Sequence, residues 1–215
     1  MLMKKIIFSA RFTKKQMLRV REPVGNIVFI IFLITLFAGI ITGAIGSRFA
    51  DSELAGRLDI VFLSDFRARS SHSFSEVFVA SFASAFIFMT ALYLSGLSLW
   101  GGLISAVIPF IKGYGYGISV GYLYGVHGFY GILYNILVIL PGAFVCSAVI
   151  CAAAREAFLN SFRLVSMFRK TAVCDDPRIR MKNYFLSMLW LLFLAAAASV
   201  ADMLFSLIFS GIFTF

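Results

Sequence analysis

Few residues of this chain are able to do chemistry, and three of them lie inside long apolar stretches: Lys112, Asn135 and Asp202. A charged side chain at the centre of a bilayer costs at least ~2.5 kcal/mol, so such groups are functional candidates by default. Two readings of Lys112 and Asp202 are open. They pair inside the membrane, although their depths differ by ~10 Å at 1.5 Å of rise per residue; or Lys112 snorkels or faces a polar cavity while Asp202 accepts hydrogen bonds near the outer interface. Asn135 reads as an interhelical hydrogen-bond partner. Ser119 lies between Gly117 and Gly121, with His127 downstream. On one helix that serine and histidine are ~12 Å apart in rise, too far for the hydrogen bond that activates a nucleophile. No HExxH appears, nor any glutamate pair with an arginine. Cys146, Cys151 and Cys174 have neither CxxC nor alternating Cys/His spacing. No catalytic residue, metal site or cofactor is assigned.

The elements that must hold these groups are membrane helices. Of the 215 residues 61% are hydrophobic and 13% charged, and the mean hydropathy is +0.95, which excludes an ordinary soluble domain. The net charge of +9 falls beside apolar runs, where it sets topology and meets anionic lipid rather than nucleic acid. Five spans are expected, at about 24–46, 76–94, 103–126, 129–154 and 184–213, forming one all-α transmembrane domain. The third carries Gly113, Gly117, Gly121 and Gly125, spaced four apart, so on a helix they form a groove without side chains. Small-xxx-small faces are how membrane helices approach one another, and the bundle is expected to pack around this helix. The first span has its own pair, Gly39 and Gly43. Pro109 should kink the third span, His127 and Gly128 should turn the chain, and Pro141 with Gly142 should disturb the fourth.

Charge orders the connections. Residues 1–23 hold seven Lys and Arg against Glu22 and read as a basic cytoplasmic arm, not a cleaved signal, because the first long apolar run begins only at Val24. Residues 47–75 have no positive excess and fit the opposite side, either as an irregular loop or with a surface helix in LAGRLDIVFLSDF. Residues 155–182 are basic again, and REAFLNSFRLVSMFRK reads as an interfacial helix. Five crossings put both basic segments in the cytoplasm and Phe215 outside.

The order of these features, with KGYGYGISVGYLYGVHGFYGILYNILVILP from Lys112 to Pro141 between a glycine-bearing first span and a basic segment, resembles the stage II sporulation protein M family. The similarity covers most of the chain. Where the family often has Gln-Asn after the proline, this chain has Gly142 and Ala143. The resemblance implies a non-enzymatic scaffold of the cell membrane, acting in engulfment during endospore formation. Its implied partners are peptidoglycan hydrolases resembling stage II sporulation proteins D and P, besides membrane lipid. A membrane component of a transporter, with Lys112, Asn135 and Asp202 along a polar path, is the alternative, and assembly as a homo-oligomer is left open.

Overall fold

The structure, a computed structural model, describes residues 25–47, 74–168 and 177–210. The basic arm, the surface helix expected within 47–75 and Cys174 lie outside the described residues. What is described is an all-α membrane bundle without strands. Its helices are α1 (Gly25–Gly46), α2 (Phe74–Leu97), α3 (Gly101–Tyr134), α4 (Leu140–Phe168) and α5 (Pro177–Ser210). Each contains an apolar stretch of 20 to 27 residues, and about 20 suffice to cross a bilayer.

The helices alternate in direction. A tight turn at Ser98–Trp100 reverses the chain between α2 and α3, and the Lys112 ammonium then meets Ser84 across that hairpin. Helical structure continues from Gly101 to Phe168 through a π segment, Asn135–Ile139. Yet the Gly102 amide donates to the Ser161 hydroxyl, 59 residues away, a separation that would be about 88 Å along a straight helix. The chain therefore doubles back between these residues, and α4 returns antiparallel to α3. The α5 helix runs antiparallel to α2, with the Tyr184 hydroxyl donating to the Leu92 and Tyr93 carbonyls at 3.3 and 3.1 Å.

Two expectations need correction. His127 and Gly128 do not interrupt the helix; the irregularity falls at Asn135–Ile139, because the Pro141 ring has no N–H and presses on the carbonyl four residues back, that of Leu137, so the turn widens. The interfacial helix expected from residue 155 onward is instead a continuation of α4 to Phe168, with Ala157, Asn160 and Ser161 buried. Its arginines fall on one side of a helix whose opposite side is small and packed. The glycine-bearing α3 lies at the centre, and α4 packs there beside it. Half of the α4 apolar stretch is buried and 44% of that of α3, against 22% for α1. Ala153, Ala154 and Ala157 have no exposed surface, which lets α2 approach until the Ala157 Cα lies 3.0 Å from where a methyl on Gly96 would stand.

Candidate intramembrane polar site and glycine seam

The glycine groove of α3 receives α1. A methyl at Gly113 would overlap the Leu36 carbonyl oxygen, and one at Gly117 would overlap that of Ile40. The fit is reciprocal: methyls at Gly39 and Gly43 would strike the carbonyl oxygens of Phe110 and Tyr114. Backbone therefore faces backbone, the geometry that small residues on both helices permit. At Gly121 the neighbour is the Ser47 hydroxyl, and at Gly125 nothing lies within 4 Å. The reason is length: α1 ends at Gly46, so the fourth glycine of the row passes beyond its partner. Below the seam, Val28, Phe32 and Leu36 are buried while Ile27, Ile31, Ile34 and Ile41 face outward, the pattern of a helix packed on one side and in lipid on the other.

Lys112 is 5% exposed. Its Nζ donates to the Ser84 hydroxyl at 2.8 Å and stands 5.1 Å from the Phe88 ring centroid and 5.2 Å from that of Tyr116. An ammonium has three donors; among the described residues one oxygen and two π faces surround this one. Cation–π attraction strengthens when the ion is removed from water, to ~2 kcal/mol or more, which offsets part of the burial cost. Asp202 is 2% exposed, and its carboxylate occupies the space a side chain on Gly142 would need. Gly142 thus has a packing reason: the absence of a side chain there admits Asp202. Asn135 is buried at the start of the π segment, which packs against α5. Lys112 is thus held against α2 and the Asp202 carboxylate against α4.

Ser119 donates to the Gly115 carbonyl of its own helix at 3.2 Å. Cys146 and Cys151 are buried thiols, and among the described residues no three His, Cys, Asp or Glu side chains come together as a metal site.

A second polar cluster was missed by the sequence reading. At the end of the bundle that holds the α2–α3 turn, Asn160 donates to the Gly96 carbonyl at 2.9 Å and Ser161 to that of Ser98 at 2.8 Å. With the Gly102 amide on Ser161 and the Tyr184 hydroxyl on α2, these bonds satisfy the carbonyls that end α2 and an amide that begins α3, groups no helix satisfies by itself. Arg155 ties α1 to the same end, its Nε donating to the Gly25 carbonyl at 3.0 Å while its guanidinium lies 3.3 Å from Glu156. The signal in the sequence was the polar pair Asn160 and Ser161 among the alanines and phenylalanines of α4.

No protein-family model, curated protein or solved structure matches this chain.

Proposed function

We propose that the chain is a non-enzymatic scaffold of the cell membrane, acting in endospore formation by anchoring peptidoglycan-remodelling proteins, with its N-terminus in the cytoplasm. The observation that supports a scaffold is the use made of Lys112. The ammonium is held by Ser84, Phe88 and Tyr116 inside the bundle, so a charge costly to bury in the membrane joins α3 to α2. The glycine seam and the Asn160–Ser161 cluster serve the same end of holding helices in register. The sporulation role rests on the resemblance of the segment from Lys112 to Pro141. Crosslinking in the native membrane, purification and identification of the captured proteins test it. Recovery of peptidoglycan hydrolases is the expected outcome; recovery of an ATPase or a solute-binding protein instead would overturn it.

One observation favours the transporter alternative. A π segment opening on buried Asn135 and followed by Pro141, with Asp202 against the next residue, resembles the discontinuous helices around which transporters place their sites. Uptake or ion flux that depends on Asp202 and Asn135 would support that reading over the scaffold.

A further inference from the structure

We propose that the outer face between α2 and α5 is a binding site for one anionic phospholipid, its acyl chain in an apolar groove and its phosphate held by Lys182 and Arg178. The groove has a volume of about 160 Å³ and is lined by Phe86, Met89, Tyr93, Phe185, Met188 and Leu189 among others. Met89 and Met188 are buried and form its floor, while Phe86, Phe185 and Leu189 are exposed walls. Tyr93 lines the groove where it begins, packed edge-on against Phe185 at 6.2 Å and stacked on Tyr184 at 5.6 Å.

Charge complementarity identifies the occupant. Because Tyr184 bonds to Leu92 and Tyr93, the groove begins just inside the level at which α2 ends at Leu97. Arg178 and Lys182 are exposed and precede Phe185 by seven and three residues, positions that share its helix face. They therefore stand over the mouth of the groove, about 10 and 5 Å beyond Phe185 along the axis. Phe185 to Leu192 adds about 10 Å of apolar wall, enough for the first part of an acyl chain. An apolar trench below two cations fits a lipid of net negative headgroup, whereas a zwitterionic one presents its phosphate together with an ammonium that the two basic side chains repel.

The test uses the whole protein, delipidated in nonionic detergent and examined by native mass spectrometry with phosphatidylglycerol or phosphatidylcholine of identical acyl chains. One phosphatidylglycerol should be retained in preference to phosphatidylcholine. A basic residue at a membrane surface is worth about fivefold in affinity for anionic lipid, so R178Q/K182Q should weaken binding roughly 30-fold. Leu189→Trp, or Thr90→Leu should the first fail to fold, fills the trench and should abolish retention at an unchanged thermal midpoint. Equal retention of the two lipids would overturn the proposal. So would loss on charge removal without loss on filling, displacement by inorganic phosphate alone, or a dimer burying the groove.

Discussion

An alanine at Gly117 places a single methyl where two backbones already touch. That methyl would overlap the Ile40 carbonyl oxygen and lie 2.7 Å from the Ala44 nitrogen and 2.9 Å from the Gly43 Cα. Carbon atoms rest at about 3.5–4.0 Å, so α1 and α3 must part by roughly 1 Å, a gap that forfeits a quarter to a half of each contact across the seam. No rotamer change relieves it, because every obstructing atom belongs to the main chain. Overpacking of this kind costs about 1–3 kcal/mol, partly offset by the ~1 kcal/mol that alanine gains over glycine in a helix. Gly125→Ala is the matched control, since it gains the same propensity and meets nothing within 4 Å. The two variants should differ by about 1–3 kcal/mol in favour of Gly125→Ala, the overpacking cost alone because the propensity gain is common to both. Unfolding in mixed micelles, followed by circular dichroism, measures the difference. Equal stability of the two would refute the seam as the contact that fixes α1.

Three further outcomes are expected. Gly142→Ala should destabilise the bundle, and Asp202→Ala should relieve that loss, giving a coupling of about 0.5–3 kcal/mol in a double-mutant unfolding cycle; additive effects would show that the two positions do not share space. Ser84→Ala removes the hydroxyl that accepts from the Lys112 ammonium and should cost about 1.5–3 kcal/mol in the same unfolding assay, the value of a hydrogen bond to a charged group. Ala83→Ser, on the exposed face of the same helix, is its control and should stay within about 0.5 kcal/mol of the parent. Asn160→Leu leaves the Gly96 carbonyl without its donor and should cost about 1–3 kcal/mol, with faster amide exchange near the α2–α3 turn than in α1.

The five helices were legible because a membrane helix announces itself locally, through some twenty apolar residues in a row. The groove on α3 was legible for a similar reason, since glycines four apart need only helical geometry to become a face. What that face meets depends on residues some seventy positions away. Gly39 and Gly43 were visible as a small pair, but no local pattern matches them to Gly113 and Gly117 or shows that α1 stops short of Gly125. Asp202 and Gly142 are also far apart in sequence, and neither alone signals the other. The α4 boundary was misplaced because the arginines from Arg155 onward suggested a surface, whereas Ala157, Asn160 and Ser161 on the opposite side are buried. His127 and Gly128 were read as a turn from composition, while the distortion was set by the proline further on.

The most direct test of the central claim is Lys112→Met, read for stability and for captured partners in the same membrane preparation. If Lys112 serves helix packing, an apolar side chain of similar length leaves the bundle folded, because replacing buried charge by well-packed apolar groups is often neutral or stabilising, and the crosslinked partners are unchanged. A folded Lys112→Met protein that loses those partners, or loses a measurable solute flux, would contradict the account and make the ammonium a functional group.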